Sequence, residues 1–141
     1  MNVFAEWICD LLAQVKTPES VRMIENCGRH CAERAGTVEL MRILRAEAEG
    51  LESRTVLLEF LAEKTPIRFE AEEDGFITHL DNYECNCKMI PELSRNPEVL
   101  CNCTKGYQVA MWEEFFGKPV EVEIIDTILR GGRECVFRVR I

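Results

Sequence analysis

The spacing of apolar residues changes at Pro66, and that change narrows the class of fold open to this chain. Before Pro66, apolar residues recur every three to four positions, the spacing of one face of a helix. Val3, Phe4, Trp7, Ile8, Leu11, Leu12 and Val15 set a first such face. Thr17 is placed as the N-cap of a second helix, with Pro18 at its first position, where a missing N–H costs nothing. Val21, Ile24, Cys27, Gly28 and Cys31 then share one side. Gly36-Thr37 ends that helix and caps a third, carrying Val38, Met41, Leu44 and Ala48. Ser53 caps a fourth, with Val56, Leu57, Phe60 and Leu61 turned inward.

After Pro66 the period is two, that of a strand with one buried face. Ile67–Ala71 and Phe76–Leu80 alternate, with Asp74-Gly75 as a hairpin signal between them. Residues 81–103 read as an irregular or short-strand connection. Thr104–Phe116 reads as a helix closed by Gly117. Pro119 opens the clearest hairpin, Val120–Ile124 with Cys135–Ile141. Helices followed by hairpins predict an α+β fold: N-terminal helices packed on an antiparallel sheet of β-hairpins, with one crossing helix. The 141 residues are expected to form one domain, with 1–64 as its helical part and 65–141 as its sheet part around a shared core.

Charge narrows the partners. Seventeen Lys and Arg against 25 Asp and Glu give a net charge of -8. Nucleic-acid binding needs cations to displace the phosphate counterions, and an anionic membrane surface needs them too, so neither partner is expected. No apolar run approaches the roughly 18 residues of a spanning helix. The stretch Met1–Cys9 contains Glu6 and no basic segment, unlike a signal peptide. The expected location is the cytoplasm, and the expected partners are a metal ion, a small molecule or a second copy in a homodimer.

Eight cysteines carry the chemistry. In a reducing compartment, clustered cysteines point to metal ligands or reactive thiols rather than to a disulfide framework. The sharpest cluster is Cys85-Asn-Cys87 followed, after 13 residues, by Cys101-Asn-Cys103. Four thiolates in two close pairs suit a tetrahedral soft-metal site, zinc first. On a strand, positions two apart share a face, so each pair could chelate, with a tighter bite than Cys-x-x-Cys. The alternative is that one cysteine of each pair packs in the core as a small apolar residue. Cys101 and Cys103 also precede the Thr104 helix, whose N–H groups and dipole favour a thiolate, with Lys105 adding positive charge. Cys103 is therefore expected to be reactive or metal-bound.

A second cluster is Cys27-Gly-Arg-His30-Cys31, with Cys27 and Cys31 one helical turn apart. It offers Cys27, His30 and Cys31 as further ligands, or it simply continues the apolar stripe. Gly28 costs about 1 kcal/mol against Ala in a helix interior. It points to a close approach by another backbone, a cofactor or the cysteine-rich connection. Cys9 and Cys135 read as structural. His79 lies on a strand and reads as a ligand, a general base or a hydrogen-bonded structural residue.

The C-terminal half resembles known domains. Cys103-Thr-Lys-Gly106-Tyr107, a helix ending at Phe116-Gly117, the strand after Pro119, and Gly132-x-x-Cys135-x-Phe137 are similar to the ending of 4-vinyl reductase-like domains. They are also similar to 2-amino-thiazoline-carboxylate hydrolase-like proteins, and the Cys27-Gly-x-x-Cys31 helix with the paired Cys-x-Cys resembles a group of cysteine-rich bacterial and archaeal proteins that share this ending and have no assigned function. The resemblance implies helices on an antiparallel sheet and a pocket for a small, often apolar ligand. Tyr107 and Met111 would line that pocket, with Trp112 and Phe115, and His79 lies within reach as a further lining residue. Three readings of function follow. The first is a metal-thiolate or small-molecule-binding domain of sensor type. The second is a hydrolase of a small metabolite. The third is an iron–sulfur protein, with Cys27 and Cys31 joining the other cysteines.

Overall fold

A computed structural model describes residues 2–80, 93, 95 and 97–141. These residues form five α-helices and four strands. The helices are α1 (Val3–Leu12), α2 (Pro18–Arg34), α3 (Thr37–Glu47), α4 (Arg54–Lys64) and α5 (Cys101–Phe116). The strands are β1 (Arg68–Glu72), β2 (Gly75–Leu80), β3 (Glu121–Asp126) and β4 (Cys135–Arg140). A 3-10 turn, Pro97–Leu100, leads into α5, and another, Ile128–Arg130, joins β3 to β4. The fold is α+β, with helices against one antiparallel sheet, as the change of period predicts.

Strand order is β1-β2-β4-β3, so the two hairpins meet along β2 and β4, with α5 crossing between them in the chain. Thr78 pairs with both Phe69 and Phe137, which fixes the register on the inner face. The turn between β1 and β2 is Glu73-Asp74, and Gly75 is already the first residue of β2. Gly75 serves close approach rather than the turn. A Cβ there would lie 1.8 Å from the carbonyl oxygen of Val139 on β4.

Apolar side chains from both halves share one core. Met41, Leu44, Leu58 and Leu61 come from the helical half, and Phe76, Val122, Phe137 and Val139 from the sheet. Trp112 of α5 is its hub, fully buried, with ring centroids 5.1 Å from Phe76, 5.8 Å from Phe69 and 6.3 Å from Phe115. Its indole N–H donates to Gln108 Oε1 at 3.3 Å, and the Thr78 hydroxyl lies 3.4 Å from the same oxygen. The buried amide oxygen is thereby satisfied, as a dry core requires. The layers run from the sheet to α5 and then to α2.

Thr17 caps α2 as predicted. Its hydroxyl accepts from the Ser20 N–H at 3.1 Å, and Ser20 Oγ accepts from the Thr17 N–H at 3.0 Å. Thr17→Ala should cost about 1 kcal/mol. Urea unfolding will show it as a lower midpoint with an unchanged slope.

The first helix departs from expectation. The residues it buries are Ala5, Cys9 and Leu12, while Val3, Phe4, Trp7 and Leu11 point to solvent. Large apolar residues lie on both sides of this helix, and it turns its smaller side inward. It also ends at Leu12, short of the expected Val15. Arg95 ties it down through Glu6 at 3.0 Å and Asp10 at 2.9 Å. Those hydrogen bonds, to Glu6 first and Asp10 second, raise the Arg95 guanidinium above its already high range.

Candidate functional site

The site begins with the crossing of α2 and α5, where two glycines interlock. A Cβ on Gly28 would fall 1.8 Å from the carbonyl oxygen of Cys103, and one on Gly106 would fall 1.8 Å from the carbonyl oxygen of Glu25. Each helix therefore presses its backbone into a place where the other has no side chain. Of the readings open for Gly28, close approach by another backbone is the one found. Ion pairs flank the seam: Lys105 to Glu25 at 3.2 Å and Arg29 to Glu113 at 2.9 Å.

The crossing sets the cysteines. The helix begins at Cys101 rather than at Thr104, so Cys101 and Cys103 occupy its first turn rather than the segment before it. That turn holds no acidic residue of its own, and Lys105, two residues on from Cys103, is paired with Glu25. Residues two apart on a helix point about 200° apart, so the shared face expected of a strand does not form here. Cys101 is buried and donates its thiol to Thr127 Oγ1 at 3.3 Å, pinning the start of α5 to the β3–β4 connection. Cys103 is half-buried, and its carbonyl abuts Gly28. Cys85 and Cys87 lie outside the described residues.

The second cluster lies on the surface. Cys27, His30 and Cys31 are all exposed, and α2 buries Gly28 and Ala32 instead. The apolar-stripe reading of Cys27 and Cys31 is thus overturned, because contact through Gly28 selects the small-residue side of α2. Among the described residues no disulfide joins two cysteines, and no three His, Cys, Asp or Glu side chains are grouped to hold a metal ion. Cys9 is fully buried and Cys135 borders the core, in keeping with structural roles.

Tyr107, Met111 and His79 do not converge. Met111 is core and fully engaged. The Tyr107 hydroxyl hydrogen-bonds the Thr37 hydroxyl at the start of α3. His79 lies on the other face of the sheet, with Nδ1 2.6 Å from Glu134 Oε1 and Nε2 3.2 Å from Glu70 Oε2. Strand alternation separates them, because Thr78 rather than His79 faces α5.

The chain belongs to DUF6144, a family of unknown function, whose pattern matches residues 5–141. No curated protein matches it. Membership in DUF6144 therefore covers both the helical and the sheet halves, including α2 and the start of α5. No described helix is long and apolar enough to cross a membrane.

A concavity of this DUF6144 chain is not visible in its residue spacing. A shallow cleft of about 390 Å³ runs between α5 and β3, floored by Val109, Val120 and Val122 and rimmed by charges of both signs, Arg29, Lys105 and Arg140 with Glu121 and Glu123. All three cations hold carboxylate partners, Arg140 with Asp74 at 3.6 Å and Glu123 at 3.5 Å. Only Lys105 stands out in the sequence, as a charge near Cys103. The cleft forms from residues far apart along the chain.

Proposed function

We propose that this chain is a cytoplasmic thiolate-based binding domain that holds a soft metal ion, zinc first, at the start of α5. One observation carries the reading: Cys103 sits in the first turn of α5, which holds no acidic residue. Such a position favours a thiolate, the form that binds metal. Cys85 and Cys87 complete the ligand set on the strength of their spacing alone. Cys101 serves as an anchor through Thr127 rather than as the fourth ligand, which leaves a coordination position for water or a small molecule. A sensor-like role and small-molecule binding meet at that position, and the hydrolase alternative would need the same opening. Cys27, His30 and Cys31 are too exposed to belong to a closed cluster and are left as accessory ligands. The core shared by both halves supports reading residues 1–141 as one domain. The helix-on-sheet layout is the one expected from the 4-vinyl reductase-like resemblance.

Elemental analysis with thiol counting tests this. About one equivalent of zinc should accompany the native chain and survive in Cys101→Ser. It should be lost in Cys103→Ser and in the Cys85→Ser/Cys87→Ser double variant. Metal-free native protein with all eight thiols titrating freely would end the proposal. A brown chain with bound iron and acid-labile sulfide would replace zinc with a cluster.

A further inference from the structure

We propose that the outward face of α1 is a homodimer seam, closed by the same face of a second copy. Val3, Phe4, Trp7 and Leu11 are 78%, 68%, 59% and 50% exposed, and they form one continuous apolar stripe. Phe4 and Trp7 stack on each other, with ring centroids 6.2 Å apart and planes 17° apart, so the stripe is pre-formed. Scattered exposed apolar residues are ordinary, but a contiguous patch of a few hundred Å² marks an interaction surface.

Charge and symmetry select the occupant. No Lys or Arg lies in α1, so it lacks the cations of a helix that binds anionic membranes. Its two charges, Glu6 and Asp10, are held by the chain's own Arg95 and ask nothing of a partner. Val3 and Leu11 lie four residues to either side of Trp7. A two-fold axis through Trp7 therefore places Val3 opposite Leu11 of the other copy, and the stripe is its own complement. In that antiparallel register Asp10 faces position 4 of the other copy and Glu6 faces position 8, so no like charges meet.

The area suffices for a weak dimer. Phe4 and Trp7 present on the order of 200–300 Å² between them. Val3 and Leu11 bring the stripe to roughly 400 Å² per copy. Two copies with their rim reach about 1,000 Å², the lower bound of a specific interface. A seam at the small end of the range is that of a weak, reversible dimer.

Sedimentation of the full chain, with reductant present so that exposed Cys27 and Cys31 form no disulfide between copies, is the test. From roughly 5 to about 300 µM the mass should rise from 16.3 kDa toward twice that value. Trp7→Glu should stay monomeric throughout with an unchanged circular dichroism spectrum, weakening association at least about thirtyfold. Trp7→Phe should associate as the parent does. A parent chain that stays monomeric, or a Trp7→Glu variant that still dimerises, overturns the proposal. Binding to neutral phosphatidylcholine vesicles without self-association overturns it as well, and assigns the stripe to lipid.

Discussion

Gly28→Val is expected to lower stability by about 4 kcal/mol and the melting temperature by roughly 12 °C. Helix propensity alone predicts the opposite sign for the smaller change Gly28→Ala, a gain of about 1 kcal/mol. Contact geometry decides against propensity. The added carbon would meet the Cys103 carbonyl oxygen at 1.8 Å and the Tyr107 nitrogen at 2.9 Å, and both are backbone atoms that cannot rotate away. The helices must separate, and the Lys105–Glu25 and Arg29–Glu113 pairs lengthen with them. We expect Gly28→Ala to cost about 2 kcal/mol net. Thermal melts followed by circular dichroism check both variants. A Gly28→Ala chain at least as stable as its parent would show that the two backbones are not in contact. Gly36 is the control: its φ is +82° and nothing lies near its missing side chain, so Gly36→Ala carries backbone strain alone, about 1 kcal/mol.

Trp112→Ala should cost about 3–5 kcal/mol, the range for a large buried aromatic whose neighbours cannot collapse into the space. Four rings surround it: Phe69, Phe76, Phe115 and Phe116. They come from β1, β2 and α5, so the loss is felt on both sides of the sheet–helix interface. Trp112→Phe keeps most of the packing but leaves Gln108 Oε1 with only the Thr78 hydroxyl, and should cost about 1–2 kcal/mol. Urea unfolding separates the two. The remaining tryptophan, Trp7, is exposed, so the folded-state emission of either variant should move to longer wavelength. Equal losses for both variants would mean that the indole hydrogen bond, rather than ring volume, holds the centre.

The element order is legible in the sequence because each period persists long enough to be counted. Helix faces repeat through Leu61, and strand alternation is strict from Val120 to Ile124 and from Phe137 to Ile141. Gly28 is legible too, since a glycine inside a helix asks for a reason. Its counterpart Gly106 acquires meaning only once the two helices are seen to cross. Orientation is less legible than period. In α1, Ala5, Cys9 and Leu12 go inward although larger apolar residues lie on the other side. In α2 the helix rotates so that Gly28 and Ala32 make contact, which carries Cys27 and Cys31 to the surface. Periodicity weighs hydrophobicity, whereas close helix packing rewards small size. The start of α5 is misread for a related reason. Asn102 and Cys103 are mediocre helix formers, but the Pro97–Leu100 turn and the Cys101–Thr127 bond begin the helix three residues early.

The solvent side of the sheet has a bearing on how this molecule can grow. Arg138 joins Glu72 at 2.8 Å and Glu123 at 3.3 Å, and Arg68 joins Glu134 at 3.1 Å beside His79. The bonds to Glu72 and then Glu123 hold the Arg138 guanidinium above its usual range, so it keeps its charge at any ordinary pH. Roofing this lattice with another apolar layer would strip water from several ions at once, an unfavourable desolvation. Growth over this ion-paired face is thereby disfavoured, which leaves the helical flank as the side better suited to recruit further mass.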